Sequence, residues 1–251
     1  MTTNDTAIDL ADLPWAGSLA SAFAWFIHAA SDGLDTVDLL TELAQRCVEI
    51  LPVAASGILV VDQFGGLRVI GSSSDSAQLL ELFQIQNEEA PCLECCRTGQ
   101  AVFVHDLSAM ARRWPRFSAE VMGEGFTAVY ALPLGSQHKI IGTLNLFATS
   151  TLAADVIASA ATLADAATLA LLRVDPTQDE IVMARHLYDA VESRNVIEQA
   201  KGMLAQRFDE DPDAAFRRIQ SMAHASGVSL ARVARAVVDR REAVLSDIPL
   251  D

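Results

Sequence analysis

The sequence predicts an α+β protein in which an antiparallel sheet flanked by helices precedes a helical, coiled-coil connector and a three-helix C-terminal domain. Strand-like runs stop at Phe147, and up to that point they alternate with segments of helical periodicity. From residue 152 onwards only helical periodicity is found. Strands confined to one part of a chain, with helices around them, are typical of the α+β class.

The N-terminal part begins with two helices and a hairpin. Residues 15–30 and 35–51 have apolar stripes at helical spacing, and Pro52 ends the second helix. Residues 56–61 and 67–71 are strand-like runs on either side of a glycine turn, which predicts a β-hairpin. Further helices are predicted at 75–87, at 91–97 and from 112 to about 124, and further strands at 101–104, 127–133 and 140–147.

The middle of the chain carries a family-like pattern. Its landmarks are Glu89-Ala-Pro-Cys-Leu, Arg97-Thr-Gly99, Arg113-Trp114-Pro115, Gly125-Phe126, Ala131-Leu-Pro-Leu134 and Ile141-Gly-Thr-Leu-Asn-Leu146. Over about 33–148 the chain is similar to bacterial GAF domains of the kind that precede ANTAR domains, which implies a signal-sensing domain. Ala90 stands where this subgroup usually has glycine, so the rim of the pocket is expected to differ. The pattern contains no cyclic-nucleotide or bilin-attachment signature, and the ligand or cofactor stays unknown.

A cysteine cluster marks the candidate sensor pocket, whose members are Cys92, Cys95, Cys96, His105 and Asp106. The three cysteines share one face of the predicted helix. They fit a polarisable pocket wall in a reducing cytosol, a redox sensor with thiolates favoured by the helix N-terminus, or a metal site that takes its fourth ligand from His105 or Asp106. The sequence does not decide between these three alternatives. The isolated Cys47 is expected in the core.

The connector is a nearly uncharged helix over residues 152–173. Its apolar residues fall near heptad spacing and alanines fill most other positions. Because so apolar a helix is unstable alone in water, we expect it to pair with its counterpart in a homodimer, together with residues 15–30. Val174-Asp-Pro176 should interrupt it, since the residue before proline resists the helical conformation.

The C-terminal part is organised around a helix over residues 193–207. Ile197, Ala200 and Leu204 form its apolar stripe, and Arg194 and Lys201 share another face. Gly202 should cost about 1 kcal/mol relative to alanine, so a close backbone approach by another helix or a ligand is expected there. Two more helices are predicted at about 213–225, after a cap by Asp211, and at about 230–245, after Gly227-Val-Ser229.

The string Ile197-Glu-Gln-Ala-Lys-Gly202, with the apolar positions that follow it, resembles the ANTAR domain over about 185–240. This resemblance implies binding of tandem stem-loops in nascent RNA, so that a terminator hairpin cannot form. Residues 214–241 support it with six arginines against one aspartate. The predicted RNA-binding residues are Arg194, Lys201, Gly202, Arg207, Arg217, Arg218, Arg232 and Arg235. Replacing Lys201 with alanine should weaken RNA binding without lowering the melting temperature.

Overall composition limits the function classes. The net charge of −15 argues against a general nucleic-acid binder, but residues 1–180 hold 22 of the 33 acidic residues. We find no enzyme motif, secretory leader or membrane-length apolar run, so a cytoplasmic, non-enzymatic regulator is expected. The expected divisions are 1–32, a helical segment; 33–150, the sensor; 151–178, the connector; and 179–246, the RNA-binding domain. The rival functions are a ligand or redox sensor that acts through protein contacts and an enzyme that uses the cysteine cluster.

Overall fold

A five-stranded antiparallel sheet forms the centre of the N-terminal domain. The computed structural model describes residues 16–31, 35–62, 64–87, 90–136, 139–172 and 180–239. The strands are β1 (Ala55–Val61), β2 (Leu67–Ser72), β3 (Val102–Val104), β4 (Ala128–Ser136) and β5 (Lys139–Ala148). Their order in the sheet is β2-β1-β5-β4-β3, and β1 and β2 form the predicted hairpin. The predicted α+β class is therefore confirmed.

The other regular elements of the described chain are helices. They are α1 (Ala16–Ser31), α2 (Thr36–Ile50), α3 (Asp75–Asn87), α4 (Pro91–Thr98), α5 (Leu107–Met110), α6 (Pro115–Gly123), α7 (Ala154–Leu172), α8 (Glu180–Phe208), α9 (Pro212–Ser226) and α10 (Leu230–Val238). The short helix α5 was not predicted. It begins at the carboxylate of Asp106, which accepts a hydrogen bond from the backbone N–H of Ser108 at 2.9 Å.

The alternation of side chains along the strands builds two separate cores. Tyr130 and Leu144 belong to the core on one face of the sheet, which helices α1, α2 and α7 cover. Val129 and Phe147 belong to the core on the other face, which helices α3, α4 and α6 cover. The N-terminal domain is therefore a sheet between two layers of helices.

Helix α7 packs within its own chain. It contacts α1, α2 and β4, and its buried side includes Val156, Leu163 and Ala167. The sequence had suggested a connector rod that pairs with a second subunit, together with residues 15–30. In the structure α1 does pack against α7, but within one chain, and α7 in turn lies against β4 of the sheet. Pro176, where the connector was expected to break, lies outside the described residues.

The C-terminal domain consists of α8, α9 and α10. Helix α8 is 29 residues long, and its predicted stripe of Ile197, Ala200 and Leu204 is buried. Asp211 and Ser229 cap α9 and α10 as expected, and Gly227 has the left-handed conformation that ends α9. Helix α10 ends at Val238, and the predicted continuation to 245 falls mostly outside the described residues.

The two domains pack directly on each other. Helix α8 contacts α2 and β2, and α10 also contacts α2. The apolar core of the C-terminal helices continues into the core formed by α1, α2 and α7. Among the described helices, none combines the length and apolar character that crossing a membrane requires.

Candidate functional site

The two cations that α8 presents on one face are buried at the domain boundary. The side chains of Arg194 and Lys201 are only 6% and 9% exposed. The ammonium of Lys201 lies 2.5 Å from a carboxylate oxygen of Asp75, and Arg194 donates to the side-chain oxygen of Gln78 at 2.7 Å. Asp75 and Gln78 belong to the first turn of α3. We call this set of four residues the α3–α8 contact.

Glu198 completes the electrostatics of the α3–α8 contact. One carboxylate oxygen lies 2.7 Å from Arg194 and the other 2.6 Å from Lys201, so one acid lies between the two cations. Two cations therefore face two carboxylates, those of Glu198 and Asp75. This balance explains how the charges remain buried, because an unpaired charge away from water is costly.

Arg194 is nevertheless incompletely satisfied. Its Nε and Nη1 groups are buried and have no hydrogen-bond acceptor among the described residues. Burial lowers the pKa of Arg194, while Glu198 and Asp75 act in the opposite direction. The Phe216 ring lies 5.7 Å from the guanidinium carbon and shields it further. The guanidinium of Arg194 is therefore fixed in position, although some of its N–H groups remain unsatisfied donors.

The structure changes one expectation about Lys201. Helical spacing places Arg194 and Lys201 on one face, but it cannot say what covers that face. Because Lys201 pairs with Asp75 and Glu198, its removal would leave both acids without that partner. We now expect Lys201→Ala to lower the melting temperature, contrary to the expectation from sequence.

Most of the other predicted RNA-binding cations are exposed. Arg207, Arg217, Arg232 and Arg235 lie at the surface of α8, α9 and α10. Arg218 differs, because Glu210 binds its guanidinium at 3.0 and 3.1 Å and raises its pKa. The structure therefore divides the predicted cations into an exposed group, the ion-paired Arg218 and the buried pair at the α3–α8 contact.

Gly202 faces open space. A Cβ added to this residue would have no described atom within 4 Å beyond its immediate helix surroundings. The close approach that the sequence predicted is therefore not made by the described residues of this chain. Asn195, Gln199 and Gln206 recur at helical spacing with Gly202 and are exposed as well.

Two more hydrogen bonds cross the domain boundary, each at the start of a helix. Asp213 of α9 accepts the backbone N–H of Asp75 at 2.9 Å. Asp38 of α2 accepts the backbone N–H of Leu230, at the start of α10, at 3.2 Å. Burial, with the nearby Asp35, raises the pKa of Asp38 to about 7. Sequence reasoning missed these contacts, because both acids resemble ordinary polar positions of amphipathic helices.

The cysteines of the candidate sensor pocket lie mostly inside the second core. Cys92 and Cys95 are fully buried and Cys96 is partly buried. Burial raises the pKa of the Cys95 thiol to about 12 and that of Cys96 to about 11, and that of Cys92 also rises. These thiols are protonated at neutral pH, the opposite of what a thiolate-based redox sensor needs. Within the described ranges, no three His, Cys, Asp or Glu side chains are placed to share a metal ion.

A buried polar cluster, missed by the sequence analysis, surrounds Cys92. Glu81 is fully buried and accepts hydrogen bonds from the side-chain amides of Asn145 and Gln84 at 2.9 Å. The Cys92 thiol donates to the side-chain oxygen of Gln84 at 2.9 Å. Burial raises the pKa of Glu81 to about 8. The alternation of Asn145 with its apolar neighbours on β5 was the available signal, since a polar residue inside such a strand requires a partner.

His105 and Asp106 are not part of this cluster. The His105 ring nitrogen lies 3.1 Å from the hydroxyl of Tyr130, which belongs to the core on the other face of the sheet. The same hydroxyl accepts the backbone N–H of Leu152, just before α7. Asp106 is the N-cap of α5, and its hydrogen bonds with Ser108 lower its pKa. The predicted five-residue pocket is therefore divided between different places.

A cavity of about 670 Å³ lies at the outer end of the second core. Ala90, the position where glycine was expected, is one of its lining residues. Its charged side chains are Glu94, Arg97 and Arg113, and Glu94 pairs with Arg113 at 2.5 Å. The indole of Trp114 lies 4.6 Å from the Arg113 guanidinium carbon. A cavity of this volume is large enough for a small organic molecule.

Comparison with known proteins identifies both domains. The GAF domain family matches residues 33–172, and the ANTAR domain family matches residues 185–238. The GAF match includes α7, which the sequence alone predicts as part of the connector. No curated protein matches the chain significantly.

Several solved structures are similar to this chain over part of its length. A GAF domain from an Acinetobacter phosphoenolpyruvate-protein phosphotransferase is 11% identical, with a TM-score of 0.49, over 65% of this chain and 98% of that chain. The corresponding GAF domain from Coxiella burnetii is 16% identical, with a TM-score of 0.48, over 68% and 96%. The free methionine-R-sulfoxide reductase from Neisseria meningitidis is 15% identical, with a TM-score of 0.49, over 69% and 91%.

The GAF match covers more than half of the chain, and the ANTAR match follows it without overlap. The order of the two matches is the one that the sequence motifs had predicted. The protein belongs to the GAF domain family and carries an ANTAR domain, a sensor followed by an RNA-binding antitermination domain.

Proposed function

We propose that the protein is a signal-responsive transcription antiterminator whose ANTAR domain binds tandem stem-loops in nascent RNA. The observation that carries the proposal is the ANTAR match over residues 185–238, the region that forms α8 to α10. Exposed arginines on all three helices supply donors for RNA phosphates, and their planar guanidinium groups can stack on unpaired bases. Holding two hairpins together would prevent the terminator from folding.

A homodimer is well suited to bind paired hairpins. A two-fold dimer presents two ANTAR domains at a fixed separation, which suits two neighbouring stem-loops. The exposed face of α8 around Gly202 supports this proposal, because a glycine with open space beside it accommodates a closely packed second helix or an RNA backbone. We infer that this face is occupied when the dimer binds RNA.

The signal is proposed to be a small molecule that binds the GAF domain. The cavity at the outer end of the second core, beside α4, supports this choice. Arg97, Arg113 and the Trp114 ring, which line the cavity, provide charged and aromatic contacts. The raised pKa values of Cys95 and Cys96 argue against the alternative of a thiolate redox sensor. Iodoacetamide at pH 7.5 should therefore label these cysteines much more slowly in the native protein than in urea. Equal labelling rates would restore the redox alternative.

The proposed function is tested by RNA selectivity. The full-length protein should bind an RNA with two short hairpins ahead of a terminator more tightly than a scrambled RNA of equal length. Transcription through that terminator should increase when the protein is added. Failure to distinguish the two RNAs would instead favour a sensor that acts through protein partners.

A matched pair of variants tests the exposed cations. Arg232→Ala should weaken binding of the tandem-hairpin RNA and flatten its dependence on salt, because phosphate contacts release counterions. Arg112→Ala is the control, since Arg112 is an exposed arginine of the GAF domain. An equal loss in both proteins would mean that only net charge matters.

A further inference from the structure

We propose that the α3–α8 contact is an autoinhibitory contact in which the GAF domain occupies Arg194 and Lys201 in place of RNA. This inference rests on the proposed function, because it assumes that α8 contributes to RNA binding. Both cations have side chains less than 10% exposed, and both bind acceptors of α3. An RNA phosphate cannot reach them while α3 remains in this position.

The chemistry of the contact favours direct competition. Asp75 offers Lys201 a carboxylate, and Gln78 and Ser72 offer Arg194 neutral oxygens. A phosphate offers the same two cations several charged oxygens. Arginine pairs with phosphate through two parallel hydrogen bonds, a geometry that a single amide oxygen does not provide.

The unmet donors of Arg194 indicate that the contact can be exchanged. Its buried Nε and Nη1 groups have no acceptor among the described residues, so the guanidinium is bound less completely by α3 than it could be by phosphate. A buried polar group without a partner destabilises the arrangement that contains it. The packed arrangement is thus held by charge pairing but weakened by the unsatisfied donors.

Helix α3 also extends into the interior of the GAF domain. Its first turn carries Asp75 and Gln78, whereas Glu81 and Gln84 form the buried cluster with Asn145 and Cys92. The cavity beside α4 is lined by Ile85 of the same helix. A ligand that displaces α3 would therefore alter the α3–α8 contact, and RNA would by linkage alter the affinity for that ligand.

The test compares full-length variants for binding of the tandem-hairpin RNA. Asp75→Asn/Gln78→Ala removes the negative charge that faces Lys201 and the side-chain oxygen that faces Arg194. The N-terminal hydrogen bond of α3 from the Ala77 N–H to Ser74 remains. The affinity of this double variant for the tandem-hairpin RNA should rise at least about fivefold. The reason is that Arg194 and Lys201 are accessible to RNA in a larger fraction of the molecules. Asp165→Asn makes an equal change of net charge at an exposed position of α7 and should leave affinity unchanged. Adding Lys201→Ala to the double variant should remove the gain.

The other possible results distinguish failure of the autoinhibitory contact from failure of the proposed function. Unchanged affinity in Asp75→Asn/Gln78→Ala, with selective binding by the wild type, would overturn the autoinhibitory contact and leave the proposed function intact. Retention of the gain after Lys201→Ala would also overturn it. If neither the wild type nor Asp75→Asn/Gln78→Ala distinguishes tandem hairpins from scrambled RNA, the proposed function fails as well.

Hydrogen exchange in the wild-type protein provides a measurement without mutation. Asp213 protects the backbone N–H of Asp75 across the domain boundary. Saturating tandem-hairpin RNA should accelerate exchange at the start of α3, because the two domains separate. Unchanged exchange at RNA saturation would contradict the inference even if the variants were unstable.

Discussion

Helices α3 and α8 both bury ionisable side chains, but they keep them stable in different ways. Arg194 and Lys201 of α8 keep their charges and face carboxylates. Glu81 of α3 has amide donors around it, and burial raises its pKa so that the neutral acid predominates at pH 7. A charge pair across a domain boundary can therefore be exchanged for another partner, whereas a protonated acid inside one domain responds to pH.

Truncation of the buried Arg194 side chain should change stability more than any other substitution considered below. Arg194→Ala removes a side chain that fills space against Phe216 and pairs with Glu198, so the free energy of unfolding should fall by roughly 2 to 4 kcal/mol. Arg194→Met keeps much of the volume and removes the unsatisfied donors, so its loss should be under about 1.5 kcal/mol. Urea unfolding measures both. Equal losses would mean that pairing, rather than packing, dominates at this site.

The next effect concerns the space that holds Glu81. A Cβ on Gly57 would lie 2.3 Å from a carboxylate oxygen of Glu81 and 2.6 Å from its Cγ. Gly57→Ala should therefore displace Glu81 and lower the free energy of unfolding by roughly 1 to 3 kcal/mol. Gly123→Ala is the control, because no described atom lies within 4 Å of its added Cβ. Similar melting temperatures for the two variants would show that the cluster is loosely packed.

A smaller effect distinguishes the protonated acid from the charge pairs. The pKa of Glu81 is about 8 in the folded protein and about 4.3 in an unfolded chain, so between these values the folded state binds more protons. The contribution of Glu81 to the free energy of unfolding is therefore fully present below pH about 4, and it is lost as the pH rises to about 8. Glu81→Gln should therefore reduce the fall in unfolding free energy between pH 5 and pH 8. A pH dependence identical to that of the wild type would mean that Glu81 titrates normally.

The smallest effect is expected at Asp38. Its pKa is about 7 in the folded protein and about 3.9 in an unfolded chain, so its contribution has the same sign as that of Glu81 but ends near pH 7. Asp38→Asn should flatten stability between pH 5 and pH 7 and have little effect above that range. Asp165→Asn provides the control at an exposed acid. A change confined to higher pH would exclude Asp38 as the titrating group.

Much of the fold could be predicted because its signals are local. The stripe of Ile197, Ala200 and Leu204 identifies the buried side of α8, and the cap residues Asp211 and Ser229 mark where the next helices begin. The candidate site was less predictable. Periodicity grouped Arg194 with Lys201 correctly, but the acceptors on α3 are more than 100 residues away in sequence.

Local patterns in the sequence were sufficient to predict the α+β class, the order of a GAF and an ANTAR domain, and the helix face shared by Arg194 and Lys201. These features depend on side-chain periodicity, capping and turn residues, which act between neighbours along the chain. Long-range packing, which the sequence does not reveal, places α3 over this face, α7 on the sheet of its own chain, and Glu81 among buried amides. Those features depend on which distant surfaces meet, and burial then sets the charge and accessibility of each group.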